Sequence, residues 1–268
     1  MARDKKQTKK FVISVEGDNS EKLYFQHLQK LINNYDHKIF NVNFTIKKCS
    51  PSSMVKRIGY KGSDRYNKNK TIPYFHIQDI EDYNDPEQKI KFEKLINEIK
   101  DQSISYKLGY SNYTFELWML LHVSQMKGSV SHRRSYLSHI NKYFNRNYNS
   151  LNEYKREEEF QKILDEYITL NSVVLAIKHA EEIRSWHENN NDKLVQYRGF
   201  QFYPNNPDTT IDEIIKLFLK PVNYLSNSVI HAYSSLSSNY SLGIITDAET
   251  LESKLPLIDI DDENQIEN

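Results

Sequence analysis

Six carboxylates fall into three short groups whose surroundings single them out. Glu16 follows the apolar run Phe11-Val-Ile-Ser-Val15, with Gly17 next to it and Glu21 shortly after. Asp79 closes a second run, Ile72-Pro-Tyr-Phe-His-Ile-Gln78, and leads into Glu81 and Asp82. Glu116 follows a third. Hard cations such as Mg²⁺ or Mn²⁺ take oxygen ligands, often one or two carboxylates plus substrate phosphates. Carboxylates on adjacent strand tips can converge on one or two such ions, and two ions stabilise the attacking and leaving oxygens of a phosphodiester displacement. An acid at a strand tip also serves as a helix cap or a solvated turn residue. Asp82, just ahead of Asp85-Pro86, fits the start of a turn as well as a metal site.

For these acids to meet, the runs before them must be neighbouring strands. Lys10–Val15 is β-branched and bounded by polar residues, as a central strand is. Ser20 can cap a helix carrying Leu23, Tyr24, Leu28, Leu31 and Ile32 at helical spacing. Residues 39–46 alternate apolar and polar, a half-buried strand. Ser52 starts a short helix through Ile58, and 59–70 is a basic loop. The run 72–79 is a second central strand, Pro86 opens a helix through Ile99, and 104–108 is a third strand. Thr114 can cap a helix from Phe115 to about Met126.

Alternating strands and helices imply an α/β fold with a mostly parallel sheet flanked by helices. Sites in such folds lie at the carboxyl ends of the strands, where Glu16 and Asp79 fall. Past Ser131 the strand signals stop, and helices are expected over about 131–144, 153–169, 172–189 and 210–220, giving a mainly helical C-terminal half. The reading divides the chain into a catalytic core over 1–128, a helical region over 129–240 that packs on the core or binds a partner, and an acidic, flexible tail over 241–268.

The 268 residues carry 36 Lys/Arg and 36 Asp/Glu, a net charge of zero that hides a gradient. Residues 1–70 hold 16 basic and 6 acidic side chains, a net +10, while 241–268 hold 1 and 8, a net −7. A basic front half with acids inside it suits an anionic substrate held near a metal. No apolar run reaches the ~20 residues that span a bilayer, and no signal-like stretch follows the basic start, so a cytoplasmic protein is expected. The single cysteine, Cys49, excludes an internal disulfide framework and a multi-cysteine zinc site. No phosphate-binding Gly-x-x-x-x-Gly-Lys-Ser/Thr motif is present, so an ATP motor would have to come from a partner.

Three motifs and a late turn carry a resemblance. Val15-Glu-Gly-Asp-Asn-Ser-Glu-Lys-Leu-Tyr-Phe25 resembles the opening motif of RloB-like proteins, an acid–glycine turn followed by Ser/Thr-Glu and an aromatic pair. Phe75-His-Ile-Gln-Asp-Ile-Glu-Asp82 is similar to their Asp-x-Asp strand, and Ser111-Asn-Tyr-Thr-Phe-Glu-Leu-Trp-Met-Leu-Leu-His122 resembles their Ser-Asn-x-x-Phe-Glu-x-Trp-x-x-x-His element. Asn206-Pro-Asp-Thr-Thr210 is similar to their late Asn-Pro-x-Thr turn. The resemblance implies a TOPRIM-type nuclease fold, a role in phage defence and an AAA/ABC-type ATPase partner encoded nearby. It makes Glu16 the first metal-site acid, Asp79 and Glu81 the Asp-x-Asp pair, and Glu21 and Glu116 supporting ligands or acid/base groups. Glu81 departs from the pattern by one methylene, and the neighbouring Asp82 can substitute for it.

Other residues have a functional and a plain reading. Lys107 on the third strand could neutralise a transition-state phosphate or be an edge lysine. His122 lies roughly 120° around the helix from Glu116, which suits a hydrogen-bonded, partly buried residue better than a shared active face. Trp118 and His76 read as core, and Cys49 has no acid–histidine arrangement around it. Lys56, Arg57, Lys61 and Arg65, interleaved with Tyr60 and Tyr66, form a basic–aromatic stretch suited to backbone contact and base stacking. Arg133 and Arg134, with Lys142, Arg146, Tyr136, Tyr143 and Tyr148, form a second. Two functions follow. One is a metal-dependent endonuclease hydrolysing RNA, tRNA included, or DNA. The other is a regulatory or sensor subunit with a degenerate site that binds an ATPase. Oligomeric state is left open, a homo-oligomer included.

Overall fold

The computed structural model describes residues 7–17, 19–36, 38–58, 72–102, 104–128, 130, 132–204 and 207–222. Lys61, Arg65, Tyr60, Tyr66, Asn206 and the acidic tail lie outside these residues. All described residues belong to one compact unit, Met1–Leu225.

The architecture is α/β, with a mostly parallel central sheet flanked by helices. Its strands are β1 (Thr8–Val15), β2 (Asn41–Lys48), β3 (Tyr74–Asp79), β4 (Tyr106–Asn112) and β7 (Asp208–Thr209) in the order β2-β1-β3-β4-β7. The first four run parallel, and β7 joins β4 antiparallel, with Ser111 opposite Thr209 and Asn112 opposite Asp208. Side chains alternate across the sheet. Phe11, Ile13, Val15, Phe75 and Ile77 face the main core, while Val12 and Tyr74 face a smaller cluster with Met54. Both faces are covered, as a parallel sheet requires.

Helix α1 (Ser20–Asn34) packs beside β2, α2 (Pro51–Ile58) beside α3 (Pro86–Lys100), and α4 (Glu116–Leu121) follows β4. Asp85 caps α3, accepting from the backbone N–H of Glu87 and Gln88 at 2.9 and 3.0 Å, with Pro86 in the first turn. The expected caps on α1 and α4 do not form. Ser20 is already helical, and the buried Thr114 hydroxyl has no partner among the described residues. Helix α4 stops at Leu121, short of the expected Met126.

The C-terminal half contributes α5 (Tyr136–Tyr143), α6 (Leu151–Tyr154), α7 (Glu157–Tyr167), α8 (Leu170–Asn189) and α9 (Ile211–Leu219). These helices share one continuous core with the sheet. Phe218 of α9 reaches the sheet face, its ring 5.1, 4.7 and 4.9 Å from those of Phe11, Phe44 and Phe75. Gly109 on β4 lets α9 come this close, since a Cβ there would sit 2.7 Å from Ile214 Cδ1.

Strands do not stop at Ser131, as the sequence reading expects. Besides β7, a hairpin of β5 (Val195–Tyr197) and β6 (Phe200–Phe202) turns at Arg198-Gly199, both at positive φ. That geometry matches the twist of the flanking strands. Phe202 packs 5.3 Å from Phe92 of α3 and 4.8 Å from Tyr83. The hairpin is missed because each strand is too short to show a period of two.

Candidate active site

Three adjacent strands deliver acids to the carboxyl edge of the sheet. Glu16 is the residue after β1, Asp79 is the last of β3, and Ser111, opposite Asp79 on β4, leads through a short turn to Glu116 at the start of α4. Glu21 enters from the first turn of α1. Gly17 makes room for it, since a Cβ at Gly17 would overlap the Glu21 carboxylate. The backbone N–H groups of Glu21 and Gly17 bond that carboxylate.

Glu21 and Glu116 are buried, at 6% and 1% exposure, and Asp79 is partly buried. Burial, with the negative charges of Glu21, Glu116 and Glu16, pushes the Asp79 carboxyl well above the ordinary carboxylate range, and Lys155 opposes this. Burial and Glu116 likewise raise Glu21, against its backbone hydrogen bonds and Lys155. These groups form one electrostatic cluster. Tyr154 adds a buried hydroxyl with no partner among the described residues, held protonated by burial and the charges of Glu116 and Glu21.

Sequence reasoning missed Lys155. Its Nζ lies 2.8 Å from Glu116 Oε1, and it feels Asp79 and Glu21 as well. The expected helix over 153–169 breaks around Lys155-Arg156, between α6 and α7, which frees the lysine to reach the sheet edge. The local signal is Glu157-Glu158-Glu159, acids in the first turn of a new helix. Lys107, the lysine chosen from sequence, is not brought to the site. It is exposed and pairs with Phe75, four residues before Ser111, so about 13 Å back along β4.

Two of the remaining acids hold cations. Glu16 Oε1 accepts from Lys91 Nζ at 2.8 Å, and its Oε2 accepts from Gln78. Glu81 Oε1 accepts from Arg133 Nη1 at 2.7 Å. Asp82 serves the turn: it is exposed and its Oδ1 accepts from the Asn84 N–H at 3.0 Å, and no described contact ties it to the cluster. A cleft of ≈ 210 Å³ opens beside Asp79 and Glu81, with Lys91, Lys94, Gln88 and Glu98 on its wall.

The chemistry of the donor set suits a hard divalent cation: the acids offer oxygen only, and Glu116 Oε2 is buried with no partner among the described residues. The geometry is not yet that of a bound ion. Among the described residues, no three His, Cys, Asp or Glu side chains are arranged to hold one.

Histidines near the site are structural. His122 Nε2 faces the Tyr24 hydroxyl at 3.1 Å and its Nδ1 the Trp118 carbonyl at 3.0 Å, and burial lowers it to about 3. His76 is buried between the Ser14 hydroxyl, 2.8 Å from its Nδ1, and Gln78 Oε1, 3.2 Å from its Nε2. The Nε2–H form satisfies both contacts, so Ser14 and His76 orient the Gln78 amide that grips Glu16. Trp118 is core.

The late turn braces β4. Asp208 accepts from the Tyr110 hydroxyl and the Tyr203 N–H, Thr209 Oγ1 donates to the Tyr110 carbonyl at 2.6 Å, and Thr210 Oγ1 accepts from the Tyr110 N–H at 3.2 Å. Arg184 of α8 locks this turn through the Thr209 carbonyl and a bidentate pair with buried Asp212 at 2.8 and 2.6 Å.

Of the expected nucleic-acid contacts, Arg133 reaches the site through Glu81, and Arg134 is exposed next to it. Lys56 and Arg57 are exposed in the last turn of α2, with no described contact to the acids. Tyr136 and Tyr148 are buried and cannot stack on bases; Tyr143 is partly exposed, stacked on His139 with Lys142 over its ring.

No curated protein and no solved structure matches the chain. A family model described as RloB-like protein matches residues 11–218, a span that contains every acid of the cluster, Lys155 and the bracing turn. The chain belongs to the RloB-like family.

Proposed function

We propose that this protein is a divalent-metal-dependent endonuclease of TOPRIM type that hydrolyses phosphodiester bonds of RNA, tRNA included, or of DNA. It acts as the effector of an anti-phage abortive-infection system under control of a partner ATPase. The observation that carries the reading is the crowding of Asp79, Glu21 and Glu116 at the carboxyl edge of the sheet, with a buried, unpartnered oxygen on Glu116. Structural stability alone does not call for such a cluster, because like charges in a poorly solvated place raise one another's energy.

Asp79, Glu16 and Glu81 would hold the metal, with Glu21 and Glu116 as supporting ligands or acid/base groups. The metal supplies Lewis-acid stabilisation of phosphoryl oxygens and a more acidic bound water. The side chains do the rest. The Gly17 turn keeps the Glu21 carboxylate in place, and Gln78 steers Glu16. Lys155 holds a positive charge beside Glu116, where it can stabilise the extra negative charge of a phosphodiester under attack. The exposed Arg133 and Arg134, with the Lys142–Tyr143 surface of α5, provide backbone contacts and one stacking face.

The test is cleavage of total tRNA and of plasmid DNA with Mg²⁺ or Mn²⁺, with and without an ATPase where one is encoded nearby, in wild type and in Glu16→Ala and Asp79→Ala. Metal-dependent cutting of one substrate, lost in both variants, is the expected result. A second reading, a regulatory subunit that binds the ATPase through a degenerate site, is favoured by the Glu81–Arg133 pair. Absence of cutting together with intact ATPase binding would select it.

A further inference from the structure

The cations around the cluster are of two kinds. Lys155, itself 40% exposed, is paired with Glu116, whose side chain is 1% exposed, so one end of this contact is anchored in the packed interior. Lys91 and Arg133 are 57% and 51% exposed, and their partners Glu16 and Glu81 are 36% and 31% exposed. Exposed pairs of this kind are weak and exchange readily. Lys91 touches Glu16 and also feels Glu81 and Asp79. Its ammonium therefore contacts one of the three carboxylates that would hold a metal and lines the same cleft as the other two, Asp79 and Glu81.

Charge makes the same point. Glu16, Glu21, Asp79, Glu81 and Glu116 face Lys91, Arg133 and Lys155, a formal balance of five against three. The resting cluster is thus largely compensated by its own side chains. Withdrawal of Lys91 and Arg133 would leave five against one and free two carboxylates at once. Lys91 shares its cleft with Lys94, and Arg133 is followed by the exposed Arg134, so each latch cation has a second cation nearby.

We propose that Lys91 and Arg133 form a phosphate-responsive latch. In the free protein they occupy Glu16 and Glu81; a phosphodiester backbone draws them off, and the released carboxylates then take a divalent cation. Metal and polyanion bind cooperatively, and the protein binds metal poorly until a nucleic-acid strand is in place. The inference rests on the carboxylate site proposed above.

The test is direct titration with Mn²⁺, following the free ion by electron paramagnetic resonance, so no cleavage is needed. Sodium sulfate, a tetrahedral dianion, is compared with sodium chloride at equal ionic strength. The proteins are wild type, the double variant Lys91→Met/Arg133→Met, and the charge-retaining Arg133→Lys. Removing two exposed ion pairs of ordinary strength corresponds to a roughly two- to thirtyfold tighter Mn²⁺ affinity in the double variant. Sulfate should tighten Mn²⁺ binding in wild type and have no effect in the double variant, and Arg133→Lys should behave as wild type. Equal affinities in wild type and double variant overturn the latch while leaving a metal site intact. A tighter double variant with no sulfate effect in wild type overturns the exchange and leaves two plain surface pairs. No Mn²⁺ binding in any protein overturns the metal site itself, and the latch with it.

Discussion

Replacing Asp79 with Asn should make the metal-free protein more stable at neutral pH, although Asp79 stands at the centre of the proposed site. The folded Asp79 carboxyl lies well above its ordinary value of 3.8, first through burial and then through Glu21, Glu116 and Glu16. The folded state therefore binds this proton more tightly than the unfolded chain does. The stability contributed by that proton is fully present below the unfolded pKa and is lost as pH rises through the folded pKa. Above the ordinary carboxylate pKa the wild type therefore loses stability steadily until the folded Asp79 carboxyl has ionised. Asn keeps the shape and removes the charge, and its amide can donate to the neighbouring acids. The slope of stability against pH is at most about 1.4 kcal/mol per pH unit for each proton taken up on folding. Glu21 is among the charges that raise Asp79, so removing the Asp79 charge also relaxes Glu21, and the variant's slope should fall by at least the Asp79 proton's share. Each kcal/mol gained corresponds to about 2–4 °C in Tm for a unit of this size. The assay is urea unfolding from about pH 4 to about pH 8 with a chelator present. A variant less stable than wild type near neutrality, with an unchanged pH slope, would show that the carboxylate does not sit in a repulsive cluster.

The opposite sign is expected for the cation of the cluster. Lys155→Met should destabilise by about 1–3 kcal/mol, less than a fully buried pair because the lysine is 40% exposed, and should abolish cleavage. Lys107→Met, far back on β4, should leave both melting temperature and cleavage unchanged. Gly17→Ala puts a methyl group into the Glu21 carboxylate and should cost about 1–3 kcal/mol in urea unfolding. It should also remove any thermal stabilisation by Mg²⁺. Arg184→Met strips buried Asp212 of its bidentate partner but leaves Lys216 Nζ 3.0 Å away, so it should cost less than the roughly 3–5 kcal/mol of a wholly unpaired buried charge, about 1–3 kcal/mol by urea denaturation. Because that pair only braces the turn beside β4, cleavage per folded molecule should survive better than in Lys155→Met.

Much of the sheet is legible in the residues themselves. Phe11–Val15 and Tyr74–Ile77 are apolar because both faces of a parallel strand are buried, and Asp85-Pro86 marks the start of α3 because it caps that helix and then fits its first turn. The acids at the ends of those runs follow from the same reading, since the carboxyl ends of adjacent parallel strands open onto one edge. What partners each acid is not local. Glu16 meets Lys91, Glu81 meets Arg133 and Glu116 meets Lys155 across 75, 52 and 39 residues of chain. Those meetings depend on how α3, α5 and the α6–α7 break pack against the sheet, which no periodicity within a segment encodes. Strand β7 is two residues long and exists because β4 offers it an edge, and Tyr136 and Tyr148 are buried because helices cover them. Residue types and their places at the ends of strand-like runs marked which carboxylates could gather; packing between distant segments decided the strand order and which cations would hold them, because an ion pair forms only where the fold brings both charges within reach.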